Sequence, residues 1–279
     1  MQLNTDSTPT TSVYQRTRRS EKPASRRSGA EALVLALCLA VVACLGGATA
    51  VPGGADENAK FNVLFIGNSL TYTNDLPEML RVLIESVQQG PAHIEVAAYA
   101  NFGLEDHWVN GGARDAINGG GWDVVVLQQG PSATEGRPSL LEYTGRFDEE
   151  IAAVGARTAL YMVWPSKARF FDFDGVSESY AQAAEQVGGL LYPAGEAWRL
   201  AWQRDSTIQL YGPDGFHPTG AGTYLAALVM FQQLTRLSPV GLTGDVVTSS
   251  GVVLQLSAET AAILQEAAVE ANALFALNQ

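Results

Sequence analysis

The sequence predicts an α/β domain, a central parallel sheet of about five strands with helices on both faces. Three observations carry that expectation. Apolar runs of strand length alternate with segments whose apolar residues recur at helical spacing, the signature of successive βαβ units. Val63–Ile66 is continuously apolar, as in a strand covered on both faces, and does not alternate with polar residues. The chain has 279 residues and 47% hydrophobic content, enough for one sizeable core.

The elements follow in order. Val51 to Lys60 is Gly-rich and polar and reads as a linker to a domain over residues 61–279. Val63–Ile66 is the first buried strand. Asp75-Leu76-Pro77-Glu78 offers an N-cap, a first-turn Pro and a capping-box Glu. Leu76, Leu80, Leu83, Ile84 and Val87 then continue at helical spacing. Ile94–Ala98 is a second strand, and Leu104–Val109 and Arg114–Ile117 are short helical pieces split by Gly111-Gly112. The third strand ends in Asp123-Val124-Val125-Val126-Leu127, and Gln129–Ser139 is a polar loop. Leu141–Val154 is a helix, Thr158–Val163 a strand, Ser177–Val187 a helix and Gly189–Tyr192 a short strand. Between them, Asp172 and Asp174 beside Phe171 and Phe173 read as a solvated, lid-like loop. Helices are expected over Glu196–Trp202, Ala221–Leu234 and Ala258–Leu274, and Pro239–Val253 is the least regular stretch.

Residues 1–50 have another character. A polar, basic region precedes an unbroken apolar run from Ala32 to Leu45, then Gly46-Gly47 and Ala48-Thr49-Ala50. Basic region, apolar stretch and Ala-x-Ala site make an export signal, with cleavage expected after Ala50. Val41-Val42-Ala43-Cys44 is the alternative, a lipoprotein-like site that would leave a lipid on Cys44. An uncleaved anchor is the third reading, although the run is short of the ~20 residues a bilayer span needs. The protein is therefore expected to be exported, as a secreted, periplasmic or surface-held chain. Its only membrane contact would be that lipid or anchor. Both cysteines, Cys38 and Cys44, fall in this segment, so no disulfide framework is available beyond it. The net charge is −12, and the first fifty residues hold six basic and three acidic side chains, +3, which leaves −15 for residues 51–279. A domain that acidic is a poor partner for nucleic acid or anionic lipid.

The chemistry concentrates in two short patterns. Val63–Ile66 runs into Gly67-Asn68-Ser69, a small-residue turn carrying a serine, and Asp214-Gly215-Phe216-His217-Pro218 leads into a helix. A serine hydroxyl is inert at neutral pH unless an imidazole takes its proton, and that imidazole needs an acid to set its tautomer. Ser69, His217 and Asp214 are residues of those types, for acyl transfer. In parallel sheets the site lies beyond the carboxyl ends of the strands, where Ser69, Gly103 and Gln129 each follow a strand. By itself Ser69 could be turn chemistry, and Asp214–Pro218 a plain loop. His93 reads as structural and His107 as a helix-surface or supporting residue. The three histidines are too scattered for a metal site, no phosphate loop is present, and no cofactor is expected. Asn68 lies close enough to touch the site. Trp164, after the fourth strand, reads as a core or rim aromatic that could form a sugar-stacking wall.

Gly67-Asn68-Ser69, Gly103, the loop after the third strand and Asp214-x-x-His217 resemble the ordered blocks of the SGNH (GDSL-type) hydrolase superfamily, over roughly Asn62–Leu237. The resemblance implies a flavodoxin-like three-layer α/β/α fold and ester chemistry. It makes Ser69 the nucleophile, His217 the base and Asp214 its orienting acid, with the N–H groups of Ser69 and Gly103 as oxyanion donors. The third block departs from the family's Gly-x-Asn-Asp: here it reads Gln128-Gln129-Gly130-Pro131-Ser132. Gln129 or Ser132 would then supply the remaining donor. Gln129 is preferred because a carboxamide offers two N–H groups. The expected substrate is a small-molecule or glycan ester carrying a small acyl group such as acetyl. The alternatives are acyl transfer to a sugar hydroxyl and a non-catalytic carbohydrate-binding scaffold.

Overall fold

The structure is a computed structural model and describes residues 54–275. The segment read as an export signal, with Cys44 and Ala50, lies outside the described residues. The sheet consists of β1 (Phe61–Gly67), β2 (Ala92–Ala98), β3 (Val124–Leu127), β4 (Arg157–Tyr161) and β5 (Leu190–Tyr192). All neighbouring pairs are parallel, in the order β2-β1-β3-β4-β5. The chain steps from β1 to β2, then crosses back to β3 on the other side of β1. That reversal opens a crevice at the C-terminal ends of β1 and β3, where sheets of this order bind their ligands. Val63, Leu64, Phe65 and Ile66 are buried in the middle of the sheet, which explains why the first run is continuously apolar.

The helices are α1 (Ser69–Tyr72), α2 (Leu76–Ser86), α3 (Leu104–Asn110), α4 (Gly112–Asn118), α5 (Arg137–Ala153), α6 (Phe173–Val187), α7 (Ala194–Arg204), α8 (Gly220–Thr235) and α9 (Ala258–Phe275). α2, α7, α8 and α9 pack together as one layer, and α3, α4, α5 and α6 as another. The result is the three-layer, flavodoxin-like α/β/α sandwich. Every residue of α8 from Gly222 to Phe231 is buried, as expected of a helix that is apolar all round. None of the helices among the described residues is long and apolar enough to cross a membrane.

The structure departs from the sequence expectations in four places. The helix expected from Leu141 begins at Arg137, because Pro138 occupies its first turn instead of breaking it. The irregular stretch contains an antiparallel hairpin, β6 (Asp245–Val247) with β7 (Val253–Gln255). Each of its strands buries only one residue, Val246 or Leu254, too few for a periodic signal. Asp75 does not cap α2: it sits at φ 58° and makes no capping bond. Its carboxylate accepts from Ser250 Oγ at 2.5 Å, and Glu78 accepts from the Ser249 N–H at 3.2 Å. Both acids hold the hairpin turn, and the Arg81 guanidinium lowers the Glu78 carboxyl to about 2. The lid-like loop is ordered structure: a 3-10 turn over Lys167–Asp172 runs into α6, and Phe173 is buried.

Candidate active site

The site is built outward from the last residue of β1. The Gly67 carbonyl accepts the Tyr99 N–H at 3.2 Å and His107 Nε2–H at 2.7 Å. A Cβ at Gly67 would lie 2.3 Å from Thr71 Oγ1 and 2.6 Å from Gln128 Oε1, so only glycine fits. Asn68 then caps α1: its Oδ1 accepts the Leu70 N–H at 3.1 Å, while its Nδ2 donates to the Phe102 carbonyl at 2.9 Å. Asn68 thus ties the turn carrying Ser69 to the loop after β2. Gln128 anchors the same turn from β3. Fully buried, its Oε1 accepts the Asn68 N–H at 2.9 Å and the Thr71 hydroxyl at 2.7 Å. Gly67→Ala should therefore displace this network and cost about 1–3 kcal/mol by overpacking. The midpoint of urea unfolding measures that loss, and an unchanged midpoint would contradict the tight approach.

Ser69 and His217 are 148 residues apart in sequence and meet here. Ser69 Oγ–H donates to His217 Nε2 at 2.8 Å, and His217 Nδ1–H donates to Asp214 Oδ2 at 2.5 Å. Asp214 Oδ1 accepts the N–H groups of Phe216 and His217, each at 3.0 Å, so one carboxylate shapes the turn and orients the imidazole. The hydrogen bond to His217, with the Phe216 N–H, lowers the Asp214 carboxyl to about 2, below its ordinary 3.8. A folded value below the unfolded one means this bond contributes fully above the ordinary value and is lost as pH falls toward 2. Asn74 joins the two halves, its Nδ2 donating to the Pro218 carbonyl and to Thr223 Oγ1, each at 2.9 Å.

The candidate oxyanion donors are less simply arranged than the sequence suggested. Ser69 contributes the first amide of α1, and no described group accepts its N–H. The Gly103 N–H donates to the Asp106 carboxylate at 2.8 Å, which closes half a capping box at the start of α3. Gln129 and Ser132 touch each other, Gln129 Nε2 donating to Ser132 Oγ at 2.7 Å and to the Gly136 carbonyl at 3.3 Å. Gln129 Oε1 accepts the Leu104 N–H at 3.2 Å, which sets the orientation of the amide. Gln129 lines the cavity of about 350 Å³ that holds Ser69, Asn68 and Gly103, whereas Ser132 lines the neighbouring one.

One expectation needs correction. Trp164 cannot be a sugar-stacking wall: it is fully buried, stacked on Trp198 at 3.6 Å, and its indole N–H donates to the Phe216 carbonyl at 2.9 Å. Its role is to support the turn that carries His217. Of the two readings of His107 the supporting one holds: it is buried beneath the Ser69 turn, burial lowers its pKa, and its Nε2–H donates to Gly67. Gln128, Asn74 and Asp106 are supports that the sequence reading missed. No short pattern marks them, because each acts through a partner brought close only by the fold. No cluster of three or more potential metal ligands exists among the described residues.

The fold thus places a hydrogen-bonded Asp214–His217–Ser69 series beside the switch-point crevice of an α/β/α sandwich. Solved structures share this architecture. A candidate SGNH hydrolase from Slackia heliotrinireducens is 28% identical at a TM-score of 0.53, over 62% of this chain and 97% of that one. A DUF4886 family protein from Bacteroides uniformis is 19% identical at 0.59, over 76% and 94%. A lipase/acylhydrolase from Enterococcus faecalis is 14% identical at 0.53, over 64% and 98%. No family model matches the sequence, and no curated protein matches it. The chain has the three-layer α/β/α fold of the SGNH hydrolases.

Proposed function

We propose that the protein is an exported ester hydrolase that works through an acyl-enzyme on Ser69 and removes small acyl groups, such as acetyl, from carbohydrate or other small esters. The observation that carries this is the unbroken relay from Asp214 through His217 to Ser69, at 2.5 and 2.8 Å. In the first half-reaction Ser69 Oγ attacks the ester carbonyl carbon while its proton passes to His217 Nε2. The tetrahedral intermediate collapses, the C–O bond to the alcohol breaks, and His217 returns the proton to the leaving oxygen. Water then repeats the sequence against the acyl-enzyme and releases the acid. If a sugar hydroxyl takes the place of that water, the same residues carry out acyl transfer, and product analysis with a sugar acceptor separates the two.

The Ser69 cavity supports the small acyl group. Beside Phe102 and Phe216 it is lined by the polar side chains of Asn101, Glu105, Asp106, Gln129 and Ser139, and a long alkyl chain would leave these groups without partners. Turnover of 4-nitrophenyl acetate by the full chain should exceed that of the octanoate at least severalfold. A fluorophosphonate should add one label, on Ser69; label elsewhere, or equal rates on both esters, would count against the reading. Sequencing the N-terminus of the mature protein distinguishes cleavage after Ala50 from a lipid on Cys44.

The oxyanion donors yield a sharper prediction. Asp106 holds the Gly103 N–H in the resting site and places a negative charge beside it. Asp106→Ala should free that donor and raise kcat severalfold, while loss of the cap costs about 0.5–2 kcal/mol. A lower kcat with intact folding would remove Gly103 from the oxyanion hole. Gln129→Ala should lower kcat by ~10²–10³, the usual effect of losing one such donor. Ser132→Ala should change it little.

A further inference from the structure

The Ser69 cavity does not end at the nucleophile. It shares Gly130, Gly136 and Phe216 with a second cavity of about 330 Å³, whose far wall is Ser166, Arg169 and Asp172. Behind that wall lies a third cavity, of about 650 Å³, lined by Lys167, Phe170, Trp202 and Tyr211. The divider is the 3-10 turn Lys167–Asp172. Ser166, Arg169 and Asp172 line one cavity and Lys167 and Phe170 the other, and Phe171 lines neither. Phe170 is 50% exposed and Phe171 79% exposed, and Phe171 belongs to no part of the core. Two neighbouring exposed aromatics on a ridge between cavities mark a binding surface.

Resting on the ester-hydrolase reading, we propose that the substrate is a chain of neutral sugars that leaves Ser69 across this ridge, with Phe171 as its stacking platform. A pyranose offers an apolar face and a rim of hydroxyls, and the path offers the same alternation. Aromatic rings are interleaved with the Ser132 and Ser166 hydroxyls, the Gln209 amide and the Lys167 ammonium. Arg169 is already paired with Asp172 and lies 3.5 Å from Glu135, so the second cavity has no spare cation for a polyanion. A fatty chain would strip water from those polar groups without replacing their hydrogen bonds. Trp164 is buried and unavailable, and the exposed Phe170 and Phe171 join the half-buried Trp202, Tyr211 and Phe216 as the aromatic surface on this side of the site.

The test is calorimetric titration of the full chain with cellohexaose, xylohexaose and mannohexaose and with the corresponding monosaccharides, alongside turnover of 4-nitrophenyl acetate. At least one hexasaccharide should bind about tenfold or more tighter than its monosaccharide, the scale of an added aromatic contact. Phe171→Ala should remove that gain and leave 4-nitrophenyl acetate turnover unchanged, and Phe171→Trp should keep the gain. Equal binding of hexasaccharide and monosaccharide throughout the panel, or a silent Phe171→Ala, overturns the proposal. So does a Phe171→Ala effect confined to octanoate esters, which would assign the ridge to an acyl chain. Turnover without length-dependent binding removes the ridge alone. Length-dependent binding without turnover removes the ester-hydrolase reading and leaves the ridge as a glycan site.

Discussion

Ser69→Ala is expected to reduce kcat on 4-nitrophenyl acetate by about 10⁵–10⁶, with folding intact. Ser69 is half-buried at the start of α1, and among the described residues its hydroxyl bonds to His217. Removing that oxygen costs the fold little and the reaction its nucleophile. His217→Ala should be comparably damaging, and the double variant should be no worse than either single one, because the two residues act as one unit. Circular dichroism of each variant separates loss of chemistry from loss of structure. If Ser69→Ala retains more than about a hundredth of parental turnover, a nucleophile other than Ser69 is at work.

Asp214→Asn is expected to lower kcat by about 10⁴ while KM moves little. Asparagine keeps an oxygen for the Phe216 and His217 N–H groups, so the turn survives. Its amide nitrogen, however, faces His217 Nδ1 with a donor where an acceptor is needed. The imidazole is then held in the wrong tautomer, with its proton on Nε2, and it cannot accept from Ser69. With the Asp214 carboxyl at about 2, the acid keeps its charge wherever the enzyme is folded and active. Asp214 should therefore add no second protonation to the acid limb of the parental pH–rate profile. A second protonation between pH 3 and pH 5 would show Asp214 titrating in the working range. A drop of less than about tenfold in Asp214→Asn would mean that the imidazole is oriented by something other than this carboxylate.

The strands were legible because burial on both faces demands unbroken apolar runs, and Val63–Ile66 and Val124–Leu127 have little choice of environment. Helix starts were less legible. Pro138 and Asp75 carry the same local signals whether they open a helix, interrupt one or bind a distant hairpin. The Ser69 and Asp214–His217 patterns were readable because each is compact: a strand end with its turn, and an i, i+3 pair. Neither pattern contains the distance between them.

By its own order the sequence determined the alternation of strand and helix, the residue types available for a serine relay, and their position beyond strand ends. Only the tertiary structure decided what each polar group is free to do. It put the Gly103 N–H against Asp106, turned the Gln129 amide toward Ser132 and Gly136, and buried Gln128 and His107 under the Ser69 turn. It also sent Trp164 into the core and left Phe171 in solvent. The physical reason is that periodicity records how much of each segment is buried. Hydrogen-bond partners come from residues distant in the chain, and close packing alone sets which of them come within about 3 Å.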